Sequence, residues 1–183
     1  MKAKVFIAGM GTSLFLAGLA GLVVAWSGIV SVSAIGESGT LDRLLGYASS
    51  QSIHRHAGTQ TNPFATDPEA VRTGLHHYKE NCIACHAASG IDKAEFAQGL
   101  NPPPPKLTAP SIRDATDGEL FWVIANGIRS TGMPAFAPTH SEEEIWKIVT
   151  FVRHLRELSA DEIEQLKPAN EGDESHHHDQ SGH

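Results

Sequence analysis

Cys82-Ile83-Ala84-Cys85-His86 is the stretch around which the rest of this 183-residue sequence organises itself. Two thiols three positions apart, followed at once by an imidazole, make the C-x-x-C-H attachment motif of a c-type haem. Within about one helical turn it offers two sulfurs that can add to the haem vinyl groups and a ring nitrogen that can reach the iron. A zinc half-site would need two further spaced ligands, and a redox dithiol usually sits in a strand-helix-strand setting. Cys82 and Cys85 are the only cysteines and no such alternation of elements is visible. One covalent haem c is therefore expected, held by Cys82, Cys85 and His86.

Counting supplies a candidate for the opposite axial position. Of three methionines, Met1 and Met10 lie in an apolar N-terminal run, which leaves Met133. It stands in Gly132-Met133-Pro134-Ala135-Phe136, a non-helical stretch able to bring a side chain to the far face of a haem. His54, His56, His76, His77, His140 and His154 are the alternatives for a bis-histidine iron; most read as solvated side chains, and His140 simply precedes a helix cap. Leu107, Phe121, Trp122, Ile124 and Phe136 are candidate pocket walls, although an apolar helix face looks the same in any core.

Outward from the motif the pattern is helical. Asp67 is a good N-cap and Pro68 suits the first helical position, so a helix is predicted to run to about Asn81. Gly90 to Pro110 reads as loop, with Pro102 to Pro105 in a row. Thr116 with Glu119, and Ser141 with Glu144, form capping boxes; the first opens a helix ending at Gly127. The second places Ile145, Ile148, Val149, Val152 and Leu155 on one face. Ser159 with Glu162 predicts a short further helix. No internal repeat and no alternating strand pattern appear, so the class is all-α.

Ahead of this domain, Val5 to Ala34 contains no charge and is long enough to cross a bilayer as a helix. A secretory signal is the competing reading, because Val32-Ser33-Ala34 resembles a cleavage site, but its apolar region would be far shorter. Lys2 and Lys4 then stay in the cytoplasm and the remainder is exported. Gly9, Ser13, Ala17, Gly21 and Ala25 recur every four residues, either a docking stripe for another membrane helix or ordinary membrane-helix composition. Thr40 to Ala48 reads as a short helix and Ser49 to Thr66 as a tether. The expected organisation is an anchor at 1–36, a juxtamembrane segment and tether at 37–66, a haem domain at 67–158, and a short helix with an acidic, His-rich, disordered tail at 159–183.

Net charge is −7, with 21 acidic against 14 basic residues, and nothing resembles the basic stripe of a nucleic-acid-binding protein. Between Pro68 and Arg156 the chain is nearly neutral, which predicts weak long-range steering of partners. His176, His177, His178 and His183, amid Asp173, Glu174 and Asp179, could bind Zn, Cu or Ni loosely, or form a solvated end.

The region from about residue 68 to 156 resembles the class I cytochromes c, specifically single-haem, membrane-anchored bacterial members. In that family a glycine and an aromatic on an N-terminal helix cross an aromatic of a C-terminal helix; Gly74, Tyr78 and Phe151 match. The family also holds the haem-ligating imidazole with a proline carbonyl, a role for one of Pro103, Pro104 or Pro105, and Asn126 to Phe136 looks like its methionine loop.

The resemblance implies one-electron transfer with His86 and Met133 as axial ligands, by a carrier or by the cytochrome c subunit of a respiratory or photosynthetic complex. It would sit at the bacterial inner membrane with its haem on the outer side, facing membrane-embedded or soluble redox partners. The competing functions are a haem sensor or peroxidase-like enzyme from which Met133 departs, and a metal-handling protein acting through its tail.

Overall fold

A computed structural model describes residues 2–36 and 39–168 of the chain. The His-rich segment, with the metal-binding reading attached to it, lies outside the described residues. The chain divides into two units, Met1–Gly36 and Glu37–His183.

The first unit is one helix, α1 (Lys2–Ser27), followed by irregular chain from Gly28, whose φ is +71°. Its stretch Gly9–Ser27 is long and apolar enough to cross a membrane, and none of it is buried against protein.

The second unit is helical, with an isolated bridge between Ala88 and Ile91 and no strand among the described residues. Its helices are α2 (Thr40–His56), α3 (Pro68–Asn81), α4 (Ile83–His86), α5 (Pro110–Asp114), α6 (Asp117–Asn126), α7 (Glu142–His154) and α8 (Ala160–Leu166), with a 3-10 turn at Glu95–Gly99.

Local chemistry sets most of these boundaries. The Asp67 carboxylate accepts from Glu69 N–H at 2.9 Å, and Pro68 occupies the first turn of α3, where its missing N–H costs nothing. Reciprocal capping boxes open α6, α7 and α8: Thr116 with Glu119, Ser141 with Glu144, Ser159 with Glu162. Each cap satisfies otherwise unpaired N–H groups and contributes about 1 kcal/mol.

The core is built on the crossing of α3 and α7. Tyr78 and Phe151 are fully buried, their rings 5.3 Å apart and inclined at 56°. The helices approach so closely at Gly74 that a Cβ there would lie 2.7 Å from Phe151 Cβ and overlap the Lys147 carbonyl. Ile145, Ile148 and Val149 continue the buried face of α7, α6 contributes Leu120 and Ile124, and Leu166 closes the base. Burying a side chain of this size stabilises by roughly 1.5–3 kcal/mol.

Three expectations need correction. Helix α2 does not stop near Ala48 but continues to His56, through residues that show no helical period. Tertiary contacts hold its end: His54 Nδ1 lies 2.9 Å from Glu119 Oε1, the His56 ring stacks on Trp122 at 6.0 Å, and Ala57 is buried against Gly118. The rest of the supposed tether is also docked. Asn62, itself buried, donates to the Trp146 carbonyl (3.2 Å) and Thr150 Oγ1 (2.9 Å), and Thr150 Oγ1 lies 3.3 Å from the Phe64 carbonyl. Finally, the helix after Ser159 is no appendage. Leu166 is 1% exposed, and Lys79 of α3 donates to the Gln165 carbonyl.

Candidate functional site

Cys82 terminates α3, and α4 carries Cys85 and His86 on the next turn. Backbone bonds from Cys85 N–H and His86 N–H to the Cys82 carbonyl (3.1 and 2.9 Å) wind the motif tightly. Both thiols are free; Cys82 is buried, which with the neighbouring Cys85 pushes its thiol up to about 12, and Cys85 is half-buried. Directly after His86 the chain turns through Ala87 at φ +60°, and the Tyr78 hydroxyl, from the α3–α7 crossing, donates to the Ala87 carbonyl at 2.5 Å. The core crossing thus fixes the exit of the motif.

His86 Nδ1 lies 2.9 Å from the carbonyl oxygen of Pro105. A carbonyl can only accept, so Nδ1 carries the proton and Nε2 keeps its lone pair, the tautomer a metal ligand requires. Burial, opposed by the Pro105 bond and aided by Lys93, holds the imidazole below its usual range, so it is neutral at pH 7. The ring lines a cleft of about 580 Å³ with Tyr78, Ile91, Leu107, Leu155 and Leu158; Met133 does not belong to that lining.

The segment around Met133 is fastened to the end of α6. Ile128 N–H donates to the Met133 carbonyl (3.1 Å), Phe136 N–H to Ile124 (3.1 Å) and Ala137 N–H to Ala125 (3.0 Å). Met133 N–H donates to Thr131 Oγ1 at 3.1 Å. Gly127 permits this fold-back: its φ is +65°, and a Cβ there would lie 2.6–2.7 Å from the Met133–Ala135 backbone. Met133 packs, half-buried, on the same apolar cluster as Cys82, Leu107, Ile112 and Ile124.

The six alternative histidines are engaged elsewhere. His54 faces Glu119, His56 the Ser52 carbonyl and Trp122, His76 Glu80, and His154 Glu162. His77 and His140 stack edge to face at 5.2 Å beside Glu144, and burial, reinforced by His140, lowers the pKa of His77. Among the proposed walls, Ile124 and Phe136 are buried in the core and Leu107 and Phe121 pack against it. Trp122 lies outside that cluster, and its ring stacks on His56.

Two arginines that sequence spacing does not single out hold the segment facing α7. Arg153 donates to the carbonyls of Ile112 (3.1 Å), Arg113 (3.1 Å) and Ala115 (2.5 Å) and to Asp117 Oδ1 (2.8 Å). Arg156 donates to the Thr108 carbonyl at 2.9 Å. Arg153 thus caps the end of α5 and ties it to the start of α6, and Arg156 holds the chain just before α5.

Two thiols on one turn, an imidazole of fixed tautomer and a thioether in a fastened loop, with Cys82 and Met133 on one apolar cluster, form a donor set that fits a c-type haem. Residues 69–152 match the sequence model of the family described as cytochrome c oxidase, cbb3-type, subunit III. The domain is a class I c-type cytochrome. Such a cytochrome domain implies haem-based electron transfer with redox partners. Among solved structures similar to the cytochrome is cytochrome CL from the marine methylotrophic bacterium Methylophaga aminisulfidivorans MPT. It is 25% identical, with 65% of this chain and 83% of that one covered and a TM-score of 0.40. No curated protein sequence matches the chain.

Proposed function

We propose that this cytochrome binds one haem c covalently through Cys82 and Cys85, with His86 Nε2 and Met133 Sδ as axial ligands. In this reading it relays single electrons at the outer face of a bacterial inner membrane, anchored by α1. The observation that carries the proposal is the 2.9 Å bond between His86 Nδ1 and the Pro105 carbonyl, which leaves a neutral imidazole with one free nitrogen beside two thiols. Bound haem would supply reversible one-electron exchange between ferric and ferrous iron.

The chain's own residues define the rest. His86, oriented by Pro105, and Met133, in the loop pinned to Ile124 and Ala125, would be the two side chains that hold the iron. With both side chains bound, no substrate would have a place to coordinate, which makes the role in this reading that of a carrier without a product. The apolar cluster around Ile124 and Phe136 excludes water and, with thioether ligation of a bound haem, would favour the less charged ferrous form and a fairly high potential. The matched family, described as an oxidase subunit, favours a fixed subunit of a respiratory complex over a free carrier.

Met133→Ala is expected to retain a covalent pigment but lose the low-spin His/Met spectrum; an unchanged spectrum refutes the ligand assignment. Colour released entirely into acidified acetone refutes covalent attachment. Carbon monoxide should bind the reduced protein negligibly at neutral pH, and rapid binding would indicate an open iron and a sensor or peroxidase-like role.

A further inference from the structure

Helix α2 is attached to its domain by its C-terminal end and is bare over its first half. At its C-terminal end His54 meets Glu119, His56 stacks on Trp122 and Ala57 packs against Gly118, all on α6. Leu41, Leu44 and Leu45, at the other end, are 53%, 62% and 56% exposed, and Ala48 is exposed with them. At 3.6 residues per turn these four share an arc of about 100°. Asp42, Arg43, Gly46 and Ser50 fall on the other side. A helix of a water-soluble domain turns its apolar stripe to the core; here the stripe is left uncovered.

The preceding chain indicates what covers this stripe. The candidate span ends at Ser27, and Ile29, Val30, Val32 and Ile35, all exposed, continue the apolar character towards α2. Only twelve residues separate Ser27 from Thr40, so the start of α2 is within about 45 Å of the end of α1 even at full extension.

We propose that Thr40 to Ala48 lies along the lipid headgroup boundary with Leu41, Leu44 and Leu45 immersed. This rests on the reading of α1 as a membrane span. The cytochrome domain, attached to the C-terminal end of α2, is then held beside the bilayer, and the long swing of a tethered carrier is lost. A lipid-facing stripe of three leucines needs no groove on a partner, only an amphipathic helix of this composition.

The test uses full-length holoprotein in phosphatidylcholine/phosphatidylglycerol vesicles free of other proteins, with a nitroxide on Leu44→Cys, Ser50→Cys or Leu16→Cys and the haem spectrum as a check on folding. Collisions with oxygen, which partitions into lipid, are compared with those of a water-soluble nickel chelate. The expected result is a label at residue 44 that favours oxygen, as at residue 16, with the preference inverted at residue 50. If residue 44 behaves like residue 50 while residue 16 favours oxygen, the span stands and the interfacial helix is overturned. Shielding of residue 44 from both reagents would mean a second copy covers the stripe, which also overturns it. Exposure of residue 16 to the nickel chelate would remove the span and, with it, the ground for this proposal.

Discussion

His86 Nδ1 and the Pro105 carbonyl oxygen, nineteen residues apart in sequence, lie 2.9 Å from each other and set the protonation pattern of the ring. The acceptor belongs to the backbone, so replacing the side chain need not remove it. Pro105→Ala should keep the bond, whereas Pro105→Gly, which frees the backbone at that point, should weaken it. Solvent exchange of the His86 Nδ1 proton followed by NMR reads the difference: slow in wild type and Pro105→Ala, faster in Pro105→Gly. Equal rates in all three would show that the bond does not depend on a rigid Pro105.

The α3–α7 crossing leaves no room for a methyl group at Gly74. The obstacle includes the backbone carbonyl of Lys147, which cannot rotate away, so Gly74→Ala must separate the helices. Destabilisation of about 1–3 kcal/mol, or more, is expected, outweighing the helix propensity gained by alanine. Chemical denaturation at constant pigment content measures it, and a change within about 0.5 kcal/mol would contradict the described contact.

Glu119 joins a cap to a long-range contact. Its carboxylate accepts from Thr116 N–H (2.7 Å) and meets His54 (2.9 Å), and these bonds, Thr116 first, hold its pKa below the usual 4.5. Since the folded value is the lower one, the contribution to stability is present above the unfolded pKa and disappears as pH falls through the folded pKa. Glu119→Gln should lower stability at neutral pH and flatten the acid limb of the stability profile. A denaturation series from neutral to acid pH checks this; parallel profiles would exclude the linkage.

Asn62 fastens segment 57–66 to α7 by its bonds to Trp146 and Thr150. Asn62→Ala removes the donor to Thr150 Oγ1 and the acceptor of the Phe64 N–H, at a cost of about 1–3 kcal/mol. Faster amide exchange or proteolysis confined to residues 49–66 is expected, with the pigment spectrum retained. Uniformly faster exchange across the domain would show instead that this segment unfolds only with the core.

Much of this was legible in the sequence because it depends on neighbours. Asp67, Thr116, Ser141 and Ser159 announce helix starts through bonds spanning two or three residues, and each is present in the fold. The reading of 49–66 as a tether failed because its order comes from Glu119, Trp122, Trp146 and Thr150, sixty or more positions away. Arg153 escaped notice for the same reason, since three of its four acceptors are backbone carbonyls, which have no signature in side-chain pattern.

The sequence by itself determined the all-α class, the capped helices and the grouping of Cys82, Cys85 and His86, because caps and the C-x-x-C-H spacing act within a turn or two of backbone. Only the tertiary structure decided that Pro105, rather than Pro103 or Pro104, meets His86, that Tyr78 secures Ala87, and that α2 docks with its leucines turned outward. Three successive prolines have the same local chemistry, and a helix has the same stripe whichever way it is turned. Packing breaks both ties, because it alone specifies which atoms come within hydrogen-bonding distance and which surface is left for another phase.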